Sequence, residues 1–259
     1  MQLDRTSVQA ERVIAALERV GPDLRELDSE AWRIAEAQLL SWDRRVAGDS
    51  PSAALYVLLR SELFRELYGD ELGEALAPLM NVAMVSYSGV QEAIYRDESS
   101  FWDDLRTPEQ EGPAHIWARS LRAAWAKLKK QQGDPGTARL DRLQQLVFAH
   151  AFDQVGALRG LFSVGPIGVG GDDSTINVAK ASAAQPEKIL FIPSYRVVFT
   201  PANWAGTRGT QALGQSGHRF SPYRRDQLDD WLEGRTHPWP WNGPPAGTEI
   251  GTLTLRPGP

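Results

Sequence analysis

The residue types that could do chemistry are concentrated in four polar words of the C-terminal part. GGDDSTINVA runs from Gly170 to Ala179, PSYRVVF covers 193–199, GQSGHRFSP covers 214–222 and RDQLDDWLEGR covers 225–235. In the first word, Asp172 and Asp173 offer adjacent carboxylates. Two such groups fall short of the roughly six or more oxygens that calcium takes. The preceding glycines suggest a phosphate cradle, but no Gly-Lys-Ser/Thr ending follows to set a lysine against phosphate. The reading these residues support is a tight glycine turn whose Asp and Ser side chains bond nearby backbone amides.

Tyr195 and Arg196 are neighbours on the best strand candidate of the chain, so they face opposite sides and at most one of them enters a given cleft. Arg196 could hold a substrate carboxylate as a bidentate pair. The favoured expectation is a buried Arg196 that pairs with Asp172 or Asp173 and locks the two words together. In GQSGH, Gly214 and Gly217 permit unusual backbone angles, and His218 could titrate near neutrality. Ser216 stands two residues before it. A nucleophile–base pair is recognised by geometry and not by closeness in sequence, and nothing else supplies His218 with a nucleophile. His115, His150 and His237 do not fall into a zinc spacing.

The elements that must position these words follow from periodicity. Ala10, Val13, Leu17 and Val20 share one helical face, and Gly21-Pro22 is expected to stop that run. Ser29 is expected to cap a second helix carrying Ala31, Ile34, Ala35, Gln38, Leu39 and Trp42. Ser50-Pro51 gives a cap and a first-turn proline for a third, with Leu55, Leu58, Leu59, Leu63 and Leu67 inward and Gly69 as its end. A fourth stretch spans about 71–96 with Pro78 as a break. Pro113 opens a fifth, with Trp117, Leu121, Trp125 and Leu128 inward, and one more is expected from about Ala138 to Ala151. After about Leu161 glycine rises and β-rich runs take over. Ile189–Thr200 reads as strand, interrupted at Pro193 by a bulge, an edge or a split into two short strands. Thr210–Leu213 reads as a short strand and 222–233 as a final helix. The expected parts are a helical 1–160, a strand-containing 161–240 and a Pro/Gly-rich tail 241–259, forming one structural unit of the α+β class.

The chain has 259 residues, 42% hydrophobic and 24% charged, with a formal charge of −5 and no cysteine. This is an ordinary globular composition. Without a dominant basic patch it offers no nucleic-acid surface. Disulfides, thiol chemistry and cysteine-held metals are excluded. No apolar run reaches bilayer length, and the polar start MQLDRTSVQAERV is not a signal peptide.

The order and spacing of the four words resemble the end of the β-chain of the penicillin acylase (penicillin amidase) family. Further words extend the likeness. MQLDRTSVQA carries Gln2, Asp4, Ser7 and Ala10, and Trp42-Asp43 with Asp49-Ser50 and Ala53-Ala54 resembles a helix junction of that family. FWDDLRTPEQEG covers 101–112, and Phe148 and His150 form an F-x-H word. The likeness runs to about Pro240. Two departures are local: ARLDRLQQ lacks the family's tryptophan-glycine word, and SPYRRDQ has Tyr223 and Arg224 where histidine and tyrosine are usual.

The resemblance implies a portion of the αββα fold of N-terminal-nucleophile hydrolases, which cleave side-chain amides with an N-terminal serine. It implies motif residues Asp172, Asp173, Ser194, Gly214, Ser216, Gly217 and Asp226, and cleft-lining candidates Tyr195, Arg196, Gln215 and His218. It also implies a periplasmic or secreted setting. The chain begins Met1-Gln2 and has no Gly-Ser or Ser-Asn dipeptide, so no catalytic residue is carried over and the chain alone is expected to be inactive. No cofactor or metal is expected in it, because the family's calcium ligands belong to upstream segments. Expected partners are upstream acylase segments bearing the nucleophile, a small amide substrate in the assembled enzyme, and a second copy through self-association. The alternatives are a truncated, noncatalytic remnant that binds a partner or nothing, and an independent enzyme using Ser216 and His218.

Overall fold

Ser7 starts the first helix by accepting the amide of Ala10 on its side chain at 3.0 Å, which satisfies one of the donors a helix start leaves open. The computed structural model that shows this describes residues 2–81, 94, 96, 99–158, 160–241, 243, 247, 251 and 253–256. The chain divides into two units, Leu3–Ile192 and Pro193–Pro259, the second also including Gln2.

In the first unit, α1 spans Val8–Leu27 and continues through Pro22, where the sequence predicts a stop. A proline inside a helix removes one backbone hydrogen bond. Here Val20, Gly21 and Leu24 are buried on either side of it, and Gly21 lies so close to the Trp32 indole that a Cβ would stand 2.8 Å from it. Packing on both flanks holds the helix across the proline.

Helix α2, Ser29–Ala35, is capped by Asp28 and not by Ser29, with the carboxylate accepting the amides of Glu30 and Ala31. A π-helical turn, Glu36–Leu40, follows it. Helix α3, Pro51–Leu72, has Ser50 as its cap and Pro51 in its first turn. It runs past Gly69 and ends at Gly73, whose φ is +48°. Helix α4, Leu76–Asn81, contains Pro78. The remainder of the expected 71–96 stretch lies outside the described residues, apart from 94 and 96.

Helix α5 is Pro113–Gln132. The expected helix 138–151 shrinks to one turn, α6, Leu140–Leu143. Gln145–Phe148 becomes strand β1, because it pairs antiparallel with β2, Val164–Gly168, and parallel with β4, Lys188–Phe191. Pairing with partners distant in sequence outweighs local propensity. β3, Lys180–Ala181, completes the order β2-β1-β4-β3.

The core of this unit surrounds α3, whose residues from Ala53 to Phe64 are buried on every side. Ile14, Leu17 and Leu24 of α1 and Trp117, Leu121 and Leu128 of α5 are buried in the same cluster. Each fully buried aliphatic or aromatic side chain contributes about 1.5–3 kcal/mol. On the sheet, Leu146 and Ile189 sit opposite each other in register and both are buried. Strand alternation turns the next residues to the other face, and Val147 and Leu190 there are 46% and 45% exposed. The sheet thus has one packed face and one half-exposed face, on which Val147 and Leu190 stand beside Gln145 and Lys188.

In the second unit, β5 (Tyr195–Val198), β6 (Arg208–Gln211) and β7 (His237–Pro238) form an antiparallel sheet. The predicted strand Ile189–Thr200 is split near Pro193 into β4 and β5, which belong to different sheets. The predicted helix 222–233 is reduced to a 3-10 turn, Pro222–Arg224, and α7, Leu228–Glu233. Leu228 and Trp231 face inward, and Gly234 closes α7 in the left-handed region at φ +72°. Most of the predicted tail 241–259 lies outside the described residues. No helix among the described residues is long and apolar enough to cross a membrane.

Candidate functional site

Gly170 and Gly171 open the loop Gly170–Ala179 in a space that only glycine can occupy. A Cβ on Gly170 would meet the Val46 carbonyl at 2.6 Å, and one on Gly171, whose φ is +110°, would meet the Asn177 carbonyl at 2.3 Å. The Gly171 amide donates to the Val46 carbonyl at 2.8 Å and the Asn177 amide to the Asp4 carbonyl at 2.9 Å. This close approach carries Asp172 into the interior.

Asp172 is 2% exposed. Its Oδ2 accepts Ser7 Oγ at 2.5 Å and the Tyr56 hydroxyl at 3.2 Å. Its Oδ1 accepts the Ser174 amide at 2.9 Å and the Ser174 hydroxyl at 3.1 Å. Asp173 faces Arg60, with Nη2 2.8 Å from Oδ1, and Arg60 Nη1 lies 3.5 Å from Asp172 Oδ2. Burial pushes the Tyr56 phenol well above its usual value, against the pull of the Arg60 charge. Tyr56 therefore stays protonated and remains a donor. The Trp42 ring, 5.2 Å from that of Tyr56, closes the side. Ser7, Trp42 and Asp172, taken from three separate sequence words, thus meet on one face of α3.

This junction is built to hold and not to react. Ser7 is 1% exposed, and its proton is committed to Asp172. Arg60 was not singled out in the sequence, and it is the guanidinium that both aspartates face. Arg196, expected in that role, belongs to the second unit. The reason is geometric: Tyr56 and Arg60 are four residues apart on α3 and so share a face, the one turned to the aspartate loop. A legible signal existed, since Arg60 and Glu62 interrupt an apolar run in which charges are rarely buried without partners.

In the second unit the strand alternation holds: Tyr195 is 58% exposed and Arg196 is 4% exposed. The Arg196 guanidinium carbon lies 4.5 Å from the centre of the Trp231 ring, and its Nη1 donates to the Trp231 carbonyl. Arg196 thus fixes α7 on β5. The GQSG loop is strapped to the turn at 221–224, with the Gly214 amide donating to the Arg224 carbonyl and the Ser216 amide to the Tyr223 carbonyl, both at 3.1 Å. A Cβ on Gly214 would fall 1.9 Å from the Tyr223 carbonyl and 2.2 Å from Asp226 Oδ1.

Ser194 is exposed, and its carbonyl accepts the Ala212 amide at 3.2 Å. Gln215, Gly217 and His218 are exposed as well. The contact between Ser216 and His218 runs from the His218 backbone amide to Ser216 Oγ at 3.2 Å, while the imidazole packs edge-on to Phe220. This is a turn bond and not a nucleophile held by a base. No group of three or more His, Asp or Glu among the described residues is placed to hold a metal.

Comparison with known proteins agrees with the four words. The family model described as penicillin amidase matches residues 1–245. An acyl-homoserine lactone acylase, QuiP, of Pseudomonas aeruginosa is 29% identical over 289 positions, covering 99% of this chain and 34% of its own length. QuiP of Pseudomonas fluorescens is 30% identical over 249 positions, covering 91% of this chain and 30% of its own length. Among solved structures, a thermostable penicillin G acylase from Alcaligenes faecalis superposes with a TM-score of 0.50 at 14% identity, over 99% of this chain and 48% of that one. The chain spans about a third of the length of these curated relatives.

Proposed function

This chain belongs to the penicillin amidase family, and we propose that it is the C-terminal portion of an acylase, completing the sheet and the substrate cleft around a serine carried by another segment. The reaction would be acyl transfer to that serine followed by hydrolysis, with the serine activated by its own α-amino group. The carrying observation is the sheet face on which the apolar side chains of Val147 and Leu190 stand about half exposed in this chain. An apolar sheet face calls for a second layer, and in a layered hydrolase the remaining segments would supply it. Tyr195, Gln215 and His218 are exposed and are the residues we assign to the substrate border. Arg196, buried against Trp231, supports the strand beneath them. The relatives' names point to amides of acyl side chains, acyl-homoserine lactones first.

The test is activity by assembly. The chain alone should not turn over long-chain acyl-homoserine lactones or phenylacetyl anilides. Co-expression with a nucleophile-bearing acylase segment that lacks this portion should give a complex that does. Turnover by the chain alone that survives Ser216→Ala would overturn the proposal, and turnover abolished by that change would favour an independent enzyme. Failure to form any complex would favour a noncatalytic remnant.

A further inference from the structure

Beside the aspartate junction lies a cavity of about 20 Å³, with Val57, Arg60, Gln144, Asp172, Asp173 and Ala181 in its wall. Such a volume admits one water-sized species. Gln144 is 2% exposed, and its side-chain oxygen has no hydrogen-bond partner among the described residues. A buried acceptor left so is costly, so the cavity calls for an occupant that approaches as a donor or a cation. The charge of the wall narrows the choice. Two carboxylates face one guanidinium, leaving one formal negative charge in excess in a buried setting. Water would serve Gln144 and leave that charge. A divalent ion would overshoot it and leave a net positive charge.

We propose that the cavity between Gln144 and the Asp172–Asp173 turn binds a single monovalent cation, such as sodium, potassium or ammonium. Its ligands are Gln144 Oε1 and the carboxylate oxygens of Asp172 and Asp173. The site is independent of the acylase reading, since it lies wholly within the first unit and stabilises the fold whatever that fold does.

The experiment is thermal unfolding of the full chain in sodium, potassium or ammonium chloride, against N-methyl-D-glucamine chloride at equal ionic strength. A saturable rise in the midpoint of about 3–5 °C is expected at a cation concentration of roughly ten times Kd. Gln144→Met keeps the volume, removes the oxygen and should abolish the rise. Equal midpoints in all four salts would mean that only water enters, and would overturn the proposal. So would a full cation response in Gln144→Met. Should that variant not fold, Asp173→Asn takes its place, and sodium NMR linewidths of the unaltered chain are read alongside. Saturable broadening displaced by ammonium supports the site, and its absence overturns it.

Discussion

Ser7 Oγ donates a 2.5 Å hydrogen bond to Oδ2 of Asp172 across 165 positions of sequence. The same oxygen caps α1 by accepting the Ala10 amide. One hydroxyl thus starts a helix and satisfies a buried carboxylate. Ser7→Ala should cost about 2–3 kcal/mol, combining a lost cap with an under-satisfied buried charge. A double-mutant cycle with Asp172→Asn on denaturant unfolding should show coupling of about 1 kcal/mol or more. Additive effects would mean that the two do not act as a unit.

Arg60 is the counter-charge of the junction. Arg60→Met should destabilise by about 3–5 kcal/mol, because Asp172 stays buried and Asp173 largely so without their counter-charge. Adding Asp173→Asn should recover part of that loss. A near-neutral Arg60→Met in urea unfolding would place the real counter-charge elsewhere.

Asp104 supplies a pH dependence of known sign. It is 6% exposed and takes the Arg106 fork at 2.7 Å on each oxygen. Those bonds, foremost among its interactions, hold its carboxyl down at about 2 against an ordinary 3.8. The folded state therefore binds this proton less readily than the unfolded one. The stability it contributes is present above the ordinary value and is lost as pH falls through about 2. Asp104→Asn should be less stable at neutral pH and should flatten the acid decline in that window. Parallel stability–pH curves for the two proteins would contradict this.

Gly214 and Gly217 separate constraint from tolerance within one loop. Gly214→Ala must move the Tyr223 carbonyl or the loop itself, and overpacking of this kind costs about 1–3 kcal/mol. Nothing lies within 4 Å of a Cβ on Gly217, so Gly217→Ala should change stability by about 0.5 kcal/mol or less. Thermal midpoints of the pair decide it.

The half-exposed Val147 and Leu190 on the sheet should make the isolated chain associate with itself. Light scattering after size exclusion should show concentration-dependent mass, reduced by Leu190→Glu. A clean monomer at all concentrations would show that the face is tolerated bare.

Much of the helical part was legible because its signals are local. Ser50-Pro51 and Pro113 mark helix starts by stereochemistry, and the inward leucines of α3 and α5 repeat at helical spacing. The misses have long-range causes. Pro22 fails to stop α1 because Trp32, from the next helix, packs against Gly21. Gln145–Phe148 becomes a strand because Val164–Gly168 and Lys188–Phe191 flank it. At the junction, Asp172 was visible as part of an unusual word. Its partner Tyr56 looks like an ordinary member of a leucine-rich helix, while Arg60 interrupts the apolar run and marks a buried partner without saying which distant loop supplies it. Arg196 was rightly expected to be buried, but its partner is the aromatic face of Trp231.

The span between Ser7 and Asp172 also bears on how the chain is made. At about 5–20 residues per second, the ribosome delivers Asp172 roughly 10–30 seconds after Ser7. During that interval α1 can be wound and capped, while Tyr56 and Arg60 on α3 wait without the carboxylates they are shaped to meet. The nascent protein must therefore carry an unfinished polar centre throughout that interval.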